Sequence, residues 1–221
     1  MQVSLIIVAG GSSSRYGNKN KLLEDLNGKP VFVHSIERLG VLASEIIMPV
    51  AAAWRTDFEQ ALHTYCPVVP VRLVPGGETR AESVWNALQQ VSASAELVAV
   101  HDAARPLATA ELFDQLIRAA KRSGAAIPGK HVVDTIKQTD ASGMVIKTLN
   151  RAELMAVETP QVFNAAALIA AYRTLGNHLS QATDDAQIME LAGHAVFILP
   201  NPQPNRKLTF ADDLTLLAEM L

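Results

Sequence analysis

The 221-residue sequence has one cysteine, Cys66, no basic excess and no long apolar run. A single thiol cannot close an internal disulfide, and Cys66 has no companion at metal-ligand spacing. A packing role and a reducing, cytoplasmic compartment are therefore expected. Lys and Arg total 19 against 22 Asp and Glu, a formal net charge of -3. That balance excludes a broad surface for a nucleic-acid backbone, yet it is compatible with a small basic pocket for a phosphorylated ligand. No segment reaches the ~20 uninterrupted apolar residues of a membrane span, and the apolar opening Val3–Ala9 runs straight into glycines. Neither a nucleic-acid nor a membrane partner is expected.

Several chemical signatures are missing as well. GxxxxGK[ST] does not occur and the GxGxxG spacing fails, which excludes a P-loop and, with no acidic ribose ligand in context, a dehydrogenase. His34, His63, His101, His131, His178 and His194 show no paired metal spacing, so a zinc site is not expected. No Ser/His/Asp or Cys/His arrangement can be read in order.

What is present suits a single α/β domain over residues 1–221. The chain is 49% hydrophobic and 19% charged, enough to bury a sizeable core. Val3–Ala9 is continuously apolar, as a central strand covered on both faces requires. Further strands are predicted at Ile46–Ala51, Val69–Val74, Glu96–His101 and Ala195–Leu199. Helix-length segments alternate with them: one opened by Pro30, then Trp54–Tyr65, one capped by Thr79 with Glu82, Thr109–Arg122, Asn164–Leu175 and Thr183–Ala192. A last helix starts near Ala211 with Thr209 as its cap. The alternation predicts a Rossmann-like, mostly parallel sheet flanked by helices. Between about 131 and 160 the pattern loosens around Thr139–Gly143, which predicts a projecting β-hairpin arm.

Two features carry chemistry. Ala9, Gly10 and Gly11 follow the first strand and lead to Arg15, Lys19 and Lys21. Glycines there let backbone N–H groups approach an anion, although a flexible linker with solvated charges fits the same residues. Asp102, in His101–Pro106, follows the fourth strand at its C-terminal end, where ligands bind in open α/β sheets. One carboxylate suffices for Mg²⁺ when substrate phosphates complete its shell, while a turn or cap role fits equally. Glycine loop, basic residues and one placed carboxylate together are what nucleotidyl transfer needs.

Seven segments in order resemble the 2-C-methyl-D-erythritol 4-phosphate (MEP) cytidylyltransferase family: AGGSSSRYG (9–17) with Lys21, PGGETRAESV (75–84), VHDAARP (100–106), VDTIK (133–137), ETPQVF (158–163), TDDA (183–186) and PNRKLTFADDL (204–214). The resemblance implies transfer of the cytidylyl group of CTP to MEP with release of pyrophosphate. It implies that Ala9, Gly10 and Gly11 lie against CTP, that Arg15 and Lys21 hold its triphosphate, and that Lys207 meets the MEP phosphate. Arg15, Lys21 and Lys207 together would offset the charge of the two reactants as catalytic residues. Gly77, Glu78, Arg80 and Ser83 would form the cytosine pocket, and Asp102 would bind Mg²⁺. Arg105, Thr135, Arg151, Thr159 and Thr183 would hold the polyol phosphate, with the arm carrying Thr135 and Arg151 to the neighbouring subunit of a homodimer. Ser13 replaces a common glycine, Met155 a common tryptophan, and the spacing from Arg15 to Lys21 is one residue short, so Lys19 competes with Lys21. Ribitol 5-phosphate cytidylyltransferases and a non-catalytic nucleotide-binding regulator are the alternatives on the same scaffold.

Overall fold

The computed structural model describes residues 2–10 and 19–221. In chain order it contains β1 (Val3–Val8), β2 (Asp25–Leu26), β3 (Lys29–Pro30), α1 (Val31–Leu39), β4 (Glu45–Val50), α2 (Arg55–Tyr65), β5 (Val71–Pro75), α3 (Arg80–Leu88), β6 (Leu97–Asp102) and α4 (Ala110–Ser123). The second half adds β7 (Ala125–His131), β8 (Lys137–Thr139), β9 (Val145–Thr148), β10 (Met155–Val157), β11 (Gln161–Asn164), α5 (Ala165–Leu175), α6 (Asp185–Leu191), β12 (Phe197–Pro200) and α7 (Asp213–Met220).

The main sheet runs β10-β7-β11-β6-β1-β4-β5, with β12 beside β7. Strands β1, β4, β5 and β6 are mutually parallel, and β12 is parallel to β7. Strand β11 enters antiparallel between β6 and β7. The expected α/β architecture is what forms. All six residues of β1 are buried, and they alternate between two cores. Leu5 and Ile7 pack with Phe32, Phe58, Phe113 and Leu217 on one face; Ile6 and Val8 pack with Val84, Phe163, Leu168 and Tyr172 on the other. Burial on both faces is why β1 reads as an unbroken apolar run rather than an alternating one. Cys66 is a free, buried thiol in the first of these cores, and burial pushes it up to about 11, consistent with packing rather than reactivity.

Several boundaries move for physical reasons. Pro30 is the residue before α1, not its first turn, because it pairs with Asp25 in the β2–β3 ribbon. Strand three occupies Val71–Pro75 instead of Val69–Val74. Strand β7 was not expected: Pro128 and Gly129 inside AAIPGKH read as breakers. Pro128 is tolerated because β11 pairs with residues 125–126 and β10 with 129–131, so Pro128 falls in the gap between them. Gly129 is required there, since a Cβ would stand 2.8 Å from Ile198. The hairpin β8–β9 forms as expected, turning at Gly143 (φ 87°), but β10 lies in the main sheet, so the arm is shorter than 131–160.

Two caps differ from expectation. Helix α6 is capped by Asp184, whose carboxylate accepts from Gln187 N at 2.9 Å, and not by Thr183. Before α7, Thr209 does not cap; Asp213 instead folds back to accept the N–H groups of Thr209 and Phe210, both at 2.9 Å. No helix among the described residues is long and apolar enough to cross a membrane.

Candidate active site

Parallel strands deliver their C-terminal ends to one rim. Register places Val8 beside Asp102, Ala9 beside Val50, and Val50 beside Pro75. The loops that leave these strands therefore start side by side: Gly10 after β1, Ala51-Ala52 after β4, Gly76-Gly77 after β5 and Ala103 after β6. An open cleft of about 710 Å³ is lined by Ala51, Ala52, Gly76, Gly77, Glu78, Glu82 and Asn86. Gly11 and Arg15, expected against the triphosphate, lie outside the described residues.

Ser83 ties the glycine loops together. Its Oγ accepts the Gly77 N–H at 3.0 Å and donates to the Thr79 carbonyl at 3.0 Å. The expected capping box is present: Thr79 Oγ1 accepts Glu82 N at 3.1 Å, while Glu82 Oε2 accepts the N–H groups of Thr79 and Glu78. There is no room for larger residues. A Cβ on Gly10 would stand 2.5 Å from Ser83 Oγ, and one on Gly77 would stand 2.3 Å from Glu82 Cβ.

Asp102 is the electrostatic centre. Arg80 Nε donates to its Oδ1 at 3.0 Å and Lys207 Nζ to its Oδ2 at 2.6 Å. Burial alone would push this carboxyl up; Arg80, then Lys207, more than offset that and hold it well below the ordinary carboxylate range. Asp102 is thus a fixed anion. Arg80 was expected in the base pocket, but its side chain turns to Asp102 and, through Nη1, to Asp185 at 2.9 Å. Lys21 Nζ donates to the Leu208 carbonyl at 2.7 Å, which brings it beside Lys207. Lys19 is exposed and 3.9 Å from Glu24.

A hydrogen-bond chain holds Asp102 from behind. His101 Nε2 lies 3.2 Å from the Arg105 carbonyl, which can only accept, so Nε2 carries the proton and Nδ1 is bare. Thr159 Oγ1 donates to Nδ1 at 3.1 Å and accepts the Asp102 N–H at 3.0 Å. The Thr159 hydroxyl, expected to meet the polyol phosphate, is thereby buried and turned inward. Fully buried, His101 is pulled down to about 4 by burial, against the opposing pull of Asp102.

Glu158 provides a second brace. Its carboxylate accepts from Asn201 at 2.8 Å and Asn205 at 3.2 Å, and lies 3.3 Å from Lys130. The Asn205 side chain in turn donates to the Thr159 carbonyl at 2.8 Å, and the Asn205 backbone carbonyl accepts from Arg105 Nη1 at 2.7 Å. The segment bearing Lys207 is fixed to the end of β6 in this way.

Sequence reasoning did not assign a role to Glu158, Gln161, Asn205, Asp185 or Tyr172. The first four stand inside the ETPQVF, PNRKLTFADDL and TDDA segments, which was the available signal; Tyr172 carried none. The structure brings Ala9, Gly10, Lys21, Gly77, Arg80, Ser83, Asp102, Arg105, Thr159 and Lys207 to one rim. Thr183 is exposed just before α6, its hydroxyl donating to Gln187 Oε1 at 3.1 Å. Thr135 and Arg151 are exposed at the base of the β8–β9 arm, one just before β8 and the other just after β9, where Arg151 Nη1 donates to the Val133 carbonyl at 2.5 Å. They form no hydrogen bond or ion pair with the Asp102 cluster among the described residues.

A magnesium ion fits the donor chemistry at Asp102. The carboxylate is ionised and a hard oxygen ligand, and no group of three His, Cys, Asp or Glu residues occurs among the described residues to make an all-protein cage. Phosphate oxygens would have to complete the shell, as they do for Mg²⁺ in phosphoryl-transfer sites.

A mostly parallel sheet covered on both faces, with a carboxylate between two cations beside glycine loops, has the parts of a nucleotidyltransferase site, whose chemistry is positioning and charge stabilisation. The family model for 2-C-methyl-D-erythritol 4-phosphate cytidylyltransferase (IspD) matches residues 3–221. An enzyme of that description from Bacillus mycoides is 38% identical over 98% of this chain and 96% of its own, and one from Symbiobacterium thermophilum is 40% identical over 99% and 92%. Among solved structures, the 4-diphosphocytidyl-2C-methyl-D-erythritol synthase from Anaerococcus prevotii superposes with a TM-score of 0.85 at 27% identity, covering 99% of this chain and 97% of that one. The Francisella tularensis cytidylyltransferase gives 0.82 at 28%, covering both chains fully. The chain belongs to the 2-C-methyl-D-erythritol 4-phosphate cytidylyltransferase family.

Proposed function

We propose that this protein transfers the cytidylyl group of CTP to MEP, giving 4-diphosphocytidyl-2-C-methyl-D-erythritol and pyrophosphate, a step of non-mevalonate isoprenoid biosynthesis. The observation that carries the reading is Asp102, held by Arg80 and Lys207 at the rim where Gly10 and Gly77 open the sheet, in a chain matching the family from residue 3 to 221.

A phosphate oxygen of MEP attacks the α-phosphorus of CTP, forming the new P–O bond as the bond to the bridging β-phosphate oxygen breaks. The electron pair leaves with pyrophosphate. Both reactants are anions, so Lys21, Lys207 and Arg15 first offset their repulsion and then stabilise the charge on the equatorial oxygens. The attacking phosphate is already ionised near neutral pH, so no general base is required. Mg²⁺ on Asp102, when bound, would neutralise phosphate charge and orient the triphosphate. Cytosine lies against Gly77, Glu78 and Ser83 in this reading, and Arg105 and Thr183 face the polyol phosphate. Thr135 and Arg151 serve the neighbouring subunit of a homodimer; their exposure at the base of the β8–β9 arm, with exposed Val133, Met144, Val145 and Ile146 nearby in sequence, supports that arrangement. The free, buried Cys66 is in keeping with a cytoplasmic location.

Pyrophosphate release from CTP and Mg²⁺ with MEP, and with ribitol 5-phosphate in parallel, tests the reading. Turnover with MEP is expected. Turnover with ribitol 5-phosphate alone would reassign the substrate, and inactivity with both would overturn the reaction.

A further inference from the structure

We infer that Asp185 and Tyr172 are positioning residues: they take up part of the Arg80 charge, so that Asp102 keeps negative charge to offer a metal–triphosphate. The inference rests on the cytidylyl-transfer reading and adds two residues and a role to it.

One guanidinium is divided between two carboxylates. Arg80 Nε donates to Asp102 Oδ1 at 3.0 Å, while Nη1 lies 2.9 Å from Asp185 Oδ2. The Asp185 side chain is fully buried, and a buried carboxylate persists only with matched partners. Arg80 is one. Tyr172, itself buried, donates its hydroxyl to Asp185 Oδ1 at 2.5 Å. Burial and then the Asp185 charge push the Tyr172 phenol well above its ordinary value, so it stays a donor.

Both partners are anchored. The Tyr172 ring stacks on Trp85, centroids 6.0 Å apart and 8° from parallel, and Trp85 belongs to α3, the helix that Arg80 begins. The start of α6 is fastened by Gln161, whose Oε1 accepts the Ala186 N–H at 3.1 Å while its Nε2 donates to Asp184 at 2.8 Å. Asp185 therefore cannot retreat from Arg80. Asp102 and Asp185 balance Arg80 between them, while Lys207 and, at longer range, Arg105 add positive charge on the Asp102 side alone. Without the Asp185 charge, the whole guanidinium charge would rest on Asp102 and compete with an arriving cation.

That balance gives a signature a merely structural role would not. Asp185→Asn leaves the rim more positive, so CTP binding in EDTA should hold within about twofold or tighten, while the gain in CTP affinity on adding Mg²⁺ should shrink. The expected loss of that gain is roughly ten- to a hundredfold, the range for outer-shell partners of metal ligands. Isothermal titration of CTP with and without Mg²⁺ reads both quantities without turnover. Tyr172→Phe should move the ratio the same way by a smaller factor. An unchanged ratio, or a parallel fall in both affinities, would overturn the inference. Should Asp185→Asn fail to fold by circular dichroism, Tyr172→Phe decides the matter alone. Wild-type turnover with CTP and MEP is measured alongside: its absence would sink the reaction, whereas the binding ratio stands or falls without MEP.

Discussion

Lys207 and Asp102 are 105 residues apart in sequence, yet Lys207 Nζ lies 2.6 Å from Asp102 Oδ2. The contact joins the loop after β12 to the end of β6, and both partners belong to the proposed transfer machinery. The Lys207 side chain is 41% exposed and that of Asp102 only 12%, so the lysine is the partner free to move toward a phosphate.

Asp102→Asn should cut turnover by at least a hundredfold. The substitution removes the hard ligand proposed for Mg²⁺ and leaves Arg80 and Lys207 without their shared anion, a loss comparable to removing one partner of a buried charge pair. Pyrophosphate release against Mg²⁺ concentration reads it. Wild-type rates in limiting Mg²⁺ would refute the role.

Stability should fall in mild acid through His101. Its folded value, about 4, is below its ordinary 6.5, so the unfolded state binds the proton more readily. The contribution is fully present above pH 6.5 and is lost as pH falls through about 4. It amounts to at most roughly 3 kcal/mol. Asp102, with its carboxyl held well below the ordinary range, has the same sign but gives way only at still lower pH. Urea unfolding of His101→Gln across this window should show a flatter pH slope than wild type; an equal slope would show that other groups carry it.

Gly10→Ala should weaken CTP binding, because the new Cβ would stand 2.5 Å from the Ser83 oxygen that braces Gly77. Gly77→Ala should lower thermal stability by about 1–3 kcal/mol, since its Cβ meets Glu82 backbone and side chain inside the cap of α3. Calorimetry distinguishes the two. A Gly77→Ala protein as stable as wild type would mean the loop has another conformation.

Arg151→Ala should raise KM for MEP much more than for CTP, because the residue is proposed to meet only the polyol phosphate. In a homodimer with shared sites, mixing Arg151→Ala with Asp102→Asn protein should restore about a quarter of wild-type activity, as half the dimers regain one intact site. No recovery on mixing would argue that each subunit's site is complete in itself.

Legibility followed the range of the physics. Val3–Ala9 and the Thr79–Glu82 capping box depend on neighbours within a few residues, and each formed where the pattern placed it. Strand β7 was hidden because Pro128 is acceptable only in a gap left by two different partner strands. Thr183 lost its cap role to Asp184, whose carboxylate is steadied by Gln161 from β11. No local pattern contains that contact.

The sequence by itself determined the class of sheet, the position of its glycine loops and the chemical types at the rim, since apolar periodicity, caps and motif spacing are short-range properties. It also marked Asp102, Lys21 and Lys207 as members of one machinery. Only the tertiary structure decided what each charge faces. It turned Arg80 from the base cleft to two carboxylates, spent the Thr159 hydroxyl on His101, and buried Asp185 against Tyr172. The physical reason is that a charge or hydroxyl removed from water must find partners wherever the packed chain provides them, and here those partners come from tens of residues away.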